Sequence, residues 1–267
     1  RFGNLIIVGL AQYFTAGFLI GPQALTDFSL FFLSTSTVLI AAAGYIINDY
    51  YDVKIDYINK PERVVIGKNI TRRYAILFHT ILSFSGILIG LSLSWKIAAL
   101  NLVSVFLLWW YSNNLKRLPF IGNFTVGLLT GLSIWIVDLY FNTGSSLIII
   151  YSSFAFFMTL VREIIKDMED LKGDNSFGCK TLPIVWGPRK TKYFIYVILG
   201  VFSVTVVVLN EFYNALPLWY YLTFLFAPLL WLLFRLIRAD TVKDFAALSS
   251  FCKIIMLLGI ISMVFVR

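Results

Sequence analysis

Charged side chains are scarce in this chain. Of its 267 residues only 13% are Asp, Glu, Lys or Arg, while 59% are hydrophobic. An ordinary soluble domain carries roughly a quarter charged residues, so the composition excludes one. Cysteine is nearly missing as well. Cys179 and Cys252 stand far apart, without metal-ligand spacing, which argues against a disulfide framework or a zinc site. The only histidine, His79, falls early in an apolar stretch and reads as a packed or interfacial side chain with no assigned role. Acids are rarer than bases, 14 against 22, giving a formal charge of +8.

What the chain has in quantity is apolar runs of about 20 residues, the length that crosses a bilayer core. Nine spans are expected, near 4–21, 28–47, 74–94, 97–112, 122–140, 146–165, 191–210, 216–236 and 246–266, with Gly21-Pro22, Pro119, Gly144 and Pro217 between them. Backbone polar groups in lipid must be satisfied internally, so the fold class is all-α: a polytopic helix bundle forming one membrane domain over 1–267. No cleavable signal is expected ahead of the first span.

Bases set the orientation. Lys54, Lys60, Arg63, Lys68, Arg72 and Arg73 lie between spans two and three, and Lys116 and Arg117 between four and five. Arg162, Lys166, Lys172, Lys180, Arg189, Lys190 and Lys192 surround the six–seven loop, and the alternate loops hold only Lys96. The motif loops and the N-terminus are therefore expected to be cytoplasmic and the C-terminus outside, in a cell (inner) membrane. The positive charge is a topological signal, and nucleic-acid binding does not explain it.

The acids are distributed just as unevenly. Nine of the fourteen crowd into two inner-face loops: Asp49, Asp52, Asp56, Glu62, Glu163, Asp167, Glu169, Asp170 and Asp174. Two triplets share one spacing, D-x2-D-x3-D: Asp49, Asp52, Asp56 in NDYYDVKID and Asp167, Asp170, Asp174 in KDMEDLKGD. On a helix each triplet would stack along one face, where like charges repel unless cations sit between them. Oxygen-rich ligand sets suit Mg2+ or Mn2+, and Mg2+ commonly completes its shell with substrate phosphate. Two facing carboxylate clusters thus fit a metal-bridged diphosphate, with Arg63, Lys116, Arg117, Arg162 and Lys166 as candidate phosphate contacts. Each triplet is followed by a glycine, a basic cluster and a tyrosine opening the next span, which suggests an internal duplication of about 1–112 and 113–236, plus a last span.

These segments resemble the UbiA superfamily of intramembrane prenyltransferases. NDYYDVKIDYINKPERVVIGK is similar to its first signature, N-D-x2-D-x3-D followed by N-x-P-x-R, and REIIKDMEDLKGDNSFGCKTLP to its second. YSNNLKRLPFIGN resembles the segment after span four, Arg1, Gly3 and Asn4 the N-terminal motif, and FAALSSFCKIIMLLGI the last span. Val64-Val65-Ile66 departs from the family's Pro-containing loop and leaves substrate choice open.

The resemblance implies a nine-helix bundle around an apolar cavity and transfer of a prenyl chain from a polyprenyl diphosphate to a lipophilic acceptor. It further implies that Asn48, Asp49, Asp52 and Asp56 bind one Mg2+ and Asp167, Asp170 and Asp174 a second, these six aspartates being the catalytic set. Arg63 and Lys116 would hold the diphosphate, while Asn4 and Tyr111 would line the pocket near the reacting carbon. The second motif looks most like the digeranylgeranylglyceryl phosphate synthase branch, which alkylates a glycerol-phosphate lipid hydroxyl, with aromatic prenylation for quinones as the alternative. Membrane lipids are further expected partners, and protein partners are left open. Lys253, inside the last span, either snorkels or points inward toward a phosphate or an acceptor carboxylate. A membrane cation exchanger, a CDP-alcohol phosphotransferase and a silent membrane-complex subunit are rival classes. One-sided acids among bases fit a midplane ion path poorly, the phosphotransferase signature is missing, and all six aspartates are present.

Overall fold

The computed structural model describes residues 2–59, 61–213 and 216–266, with Arg63 and Leu218 described by backbone alone. It is a bundle of long helices: α1 Phe2–Phe14, α2 Phe28–Asn59, α3 Arg72–Leu93, α4 Trp95–Asn113, α5 Ile121–Phe141, α6 Ser146–Glu169, α7 Leu171–Ser176, α8 Leu182–Tyr213, α9 Leu218–Tyr220, α10 Ala227–Arg238 and α11 Val242–Ser262. The π-helical stretches Thr15–Ile20 and Tyr221–Phe226 extend α1 and lead into α10.

Among the described residues eight helices are long and apolar enough to cross a membrane, and all eight coincide with expected spans. The ninth expected span, 97–112, is the helix α4. It falls outside that group of eight, with Asn101 and Ser104 within it and Trp109, Trp110 and Tyr111 near its end. The protein is a multi-pass integral membrane protein.

Packing explains the arrangement. α6 is the most enclosed, with 67% of its apolar window buried, and it packs against α5, α8 and α11. α2 packs against α1, α3 and α4, and α1 also meets α5 and α11, which closes the two groups into one ring. Without water to drive helix association, close backbone approach matters. At Gly127 and Gly131 of α5, an added Cβ would lie 3.0 Å from the carbonyl oxygens of Phe156 and Ser152 on α6. Outward faces stay apolar: Phe84 on α3, Val204 on α8 and Leu230 on α10 are each more than 60% exposed, as lipid contact requires.

The expected boundaries shift where the motifs begin. Span two was expected to end at 47, with the first acids in a loop; instead α2 runs to Asn59 and carries Asp49, Asp52 and Asp56 on one continuous helix. The second triplet is broken. Asp167 lies in the last turn of α6, Asp170 is the junction (φ −91°, ψ 7°), and Asp174 lies on α7. α8 begins at Leu182, earlier than the expected 191, and bends at Gly187, whose φ of 78° suits glycine. His79 Nδ1 lies 3.1 Å from the Ala43 carbonyl, which makes it a packing contact between α3 and α2.

Candidate active site

One end of the bundle gathers the end of α2, the turn after α4, the start of α5 and the α6–α7 junction. The turn Leu115–Arg117 points Lys116 at α2, where its Nζ donates to Asp52 Oδ1 at 2.5 Å and reaches Asn48 Oδ1 at 3.5 Å. Asn48 Nδ2 donates to the other Asp52 oxygen at 2.8 Å, an i,i+4 contact that one helix face permits. Lys116 and Asp52 side chains are only 10% and 15% exposed. Burial holds the Lys116 ammonium below its ordinary range, and Asp52 pulls the other way. Asp56 lies near enough to act on the same ammonium.

The second motif faces the first. Asp174 is pushed up to about 7, chiefly by burial and then by the carboxylates of Asp170 and Asp52, while Lys166 and Lys116 oppose the shift. Asp52 and Asp174, 122 positions apart in the numbering, thus share one electrostatic neighbourhood. Asn59 holds the two motifs in register. Its Nδ2 donates to the Asp170 carbonyl at 3.3 Å, and its Oδ1 accepts from the Gly173 N–H at 3.0 Å. A Cβ on Gly173 would collide with the Asn59 amide, so the close approach needs glycine. Lys180 N–H also donates to the Arg117 carbonyl at 2.7 Å, tying the segment after α7 to the Lys116 turn. Asp167 sits deeper and accepts from Asn123 Nδ2 on α5 at 2.8 Å.

The remaining expected residues divide. Asn4 Nδ2 donates to the Tyr45 hydroxyl at 3.1 Å, one turn from Asn48, and Tyr111 is half-buried in the last turn of α4. Asp49 is half-buried on the motif turn of α2. Lys166 acts on both Asp167 and Asp174, so it belongs with the acids. Arg162 turns away to pair with Glu163. The Arg63 side chain lies outside the described residues. Asn59, Asn123 and Gly173 received no role from the sequence, although all three lie inside the quoted motif segments.

Among the described residues no three acids already converge as ready metal ligands. Asp52 and Asp167 instead engage Lys116, Asn48 and Asn123. The donor set still fits hard cations. Burial first, and then the carboxylates of Asp170 and Asp52, raise Asp174, and a divalent ion would relieve the carboxylate part of that cost.

The fold is a membrane helix bundle that brings two acidic motifs together at one end around a buried lysine. Over residues 10–258 the chain matches the UbiA prenyltransferase family, and it belongs to that family. It is a prenyltransferase. A digeranylgeranylglyceryl phosphate synthase of Saccharolobus solfataricus is 32% identical over 96% of this chain and 91% of its own length. The synthase of the same name from Sulfolobus acidocaldarius is 38% identical, but the match spans only 66% of this chain and 64% of that protein. A solved structure concerned with digeranylgeranylglyceryl phosphate synthase in membranes aligns with TM-score 0.73 at 24% identity, covering 98% of this chain and 92% of that one. A UbiA homologue from Archaeoglobus fulgidus bound to GPP and Mg2+ aligns at 0.70 with 15% identity, covering 98% and 97%. These structural likenesses establish the fold.

Proposed function

We propose that the protein transfers a prenyl group from a polyprenyl diphosphate to the free hydroxyl of a glycerol-phosphate lipid, forming an ether and releasing diphosphate. One observation carries the reading: Asp52, Asn48 and Lys116 meet in direct contact while Asp174 of the other motif lies within their field. The shared name of the curated relatives supports the acceptor class. The Archaeoglobus homologue's GPP and Mg2+ support the donor class and a divalent ion.

Asn48, Asp49, Asp52 and Asp56 would hold one Mg2+ and Asp167, Asp170 and Asp174 a second; Mn2+ suits the same oxygen ligands. Bound there, divalent ions would neutralise charge on the diphosphate. Lys116, with Arg63 and Lys166, would contact the remaining phosphate oxygens, and Asn48 keeps Asp52 oriented. As the allylic C1–O bond breaks, its electron pair leaves on the diphosphate, where Lys116 compensates the charge. Asn4 and Tyr111 would flank the resulting allylic cation, the tyrosine offering its ring face. The acceptor oxygen then forms the C–O bond and its hydroxyl proton is released. The apolar bundle keeps water from taking the acceptor's place.

The basic loops argue for motifs on the cytoplasmic face of the cell membrane and a C-terminus outside. The test is transfer from radiolabelled geranylgeranyl diphosphate in lipid nanodiscs, with the product read by mass spectrometry. Ether formation on a geranylgeranylglyceryl phosphate acceptor, lost on chelation, is expected. Prenylation of an aromatic quinone precursor instead would overturn the acceptor, and activity untouched by chelation would overturn the metal assignment.

A further inference from the structure

A second polar cluster lies deeper than the aspartate motifs, on the seam between α6 and α11. The two helices run antiparallel in a clear register. Tyr151 and Ser262 hydroxyls are 3.2 Å apart, the Phe154 ring lies against Gly259, and Thr159 Oγ1 donates to Met256 Sδ at 3.6 Å. Continued toward the motif end, that register brings Arg162 and Glu163 opposite Cys252 and Lys253. Cys252 indeed feels the charges of both Arg162 and Glu163.

Here Arg162 Nη1 pairs with Glu163 Oε1, and Lys166 Nζ lies 3.9 Å from Glu163 Oε2. The Glu163 and Arg162 side chains are 9% and 16% exposed. Arg162 and Lys253 stand on this stretch of seam beside Glu163, while Lys166 is shared with Asp167 at the motif. Charges inside a membrane bundle are costly and seldom serve packing alone. A guanidinium carries five donors in a fixed fork. One donor serves Glu163, while Arg162 Nε is buried and has no hydrogen-bond partner among the described residues. A buried guanidinium edge beside a second cation on the facing helix suits a phosphate.

We propose that Arg162 and Lys253 form an anion site for the phosphate group of the lipid acceptor, separate from the donor's diphosphate site; this rests on the glycerol-phosphate reading above. Geometry supports the division. Lys116 serves the donor from the α2 side, beside Asp52. An acceptor hydroxyl must approach C1 opposite the departing diphosphate, hence from deeper in the bundle. Glu163 lies one turn deeper than Asp167, about 6 Å along the helix. That distance is of the order separating a glycerol hydroxyl from a phosphate on the same glycerol. The acceptor thereby gains orientation as well as affinity.

The test uses the full chain in nanodiscs without donor. It measures equilibrium binding of geranylgeranylglyceryl phosphate and of its dephosphorylated alcohol, with inorganic phosphate as competitor. Wild type should prefer the phosphorylated lipid at least tenfold. Lys253→Met and Arg162→Lys should each cut that preference about tenfold, leaving affinity for the alcohol and the KM for geranylgeranyl diphosphate unchanged. Lys253→Met keeps the Arg162–Glu163 pair intact and decides the matter if Arg162→Lys does not fold. An unchanged preference in the variants, equal weakening toward both lipids, or no preference in wild type would overturn the site. Displacement by inorganic phosphate at the lipid's own concentration would do so too, marking a free-anion site. Wild type that binds with the expected preference yet forms no ether would defeat the proposed reaction and leave the site standing.

Discussion

Replacing Asp52 with alanine should damage folding as well as chemistry, and the structure says why. Lys116 Nζ sits 2.5 Å from Asp52 Oδ1, with the lysine side chain only 10% exposed. Breaking a fully buried ion pair by removing one partner costs about 3–5 kcal/mol. Here the full cost is not reached, because burial already lowers the Lys116 pKa, so the orphaned amine can shed its proton. Asn48 Oδ1 at 3.5 Å also remains as an acceptor. A loss of about 1–3 kcal/mol is therefore expected for Asp52→Ala. Lys116→Met should cost less, since Asp52 keeps the Asn48 amide and some solvent. The double variant should be more stable than the sum of the two losses implies, with a coupling of about 0.5–3 kcal/mol. Denaturant or thermal melts of all three variants in the same nanodisc measure it. Prenyl transfer behaves differently: each single variant and the double should lose about 100-fold or more, because the same pair faces the departing diphosphate. Asp170→Ala should lose transfer with folding near normal, its backbone carbonyl still accepting from Asn59. Strictly additive stabilities, or wild-type transfer by any of these variants, would refute the reasoning.

Asn123→Leu should destabilise the fold by about 1–3 kcal/mol, because Asp167 would lose the amide that donates at 2.8 Å, and Mg2+ should recover part of the loss in a melt. Gly173→Ala should push the Asn59 amide out of its bridge between α2 and the α6–α7 junction, raising the KM for donor severalfold; an unchanged KM would detach that bridge from the site. Asp174 sets a pH dependence. Raised from the ordinary 3.8 to about 7, it keeps its proton in the metal-free fold while the unfolded chain loses it, so the metal-free fold loses stability as pH rises from 3.8 toward 7, and no further above that. Metal must displace that proton, so apparent Mg2+ affinity should weaken about tenfold per pH unit below 7. Asp174→Asn should flatten that slope in isothermal titration.

Hydropathy and charge made the membrane bundle legible because lipid allows few alternatives: runs of sufficient length, punctuated by Gly21-Pro22 and Pro119, leave little besides helices. The acids were legible for a related reason, since a chain poor in charge does not repeat D-x2-D-x3-D at two span ends by indifference. Local shape was not. Identical spacing became a continuous helix in Asp49–Asp56 and a broken junction at Asp170, because α2 continues to Asn59 while the second motif must turn to bring Asp174 back toward Asp52. The residues that fix that turn carry no charge. Asn59 and Gly173 work through one amide and the absence of one methyl, and Asn123 through a single hydrogen bond from a neighbouring helix. Such contacts depend on partners 44 to 114 positions away, so one sequence offers them as motif members without offering their roles. Arg162 makes the same point from the opposite side. Its charge marked it as a phosphate contact, yet only the packing of α6 on α11 shows it paired with Glu163, apart from the donor's lysine, with Nε left for the acceptor phosphate proposed above.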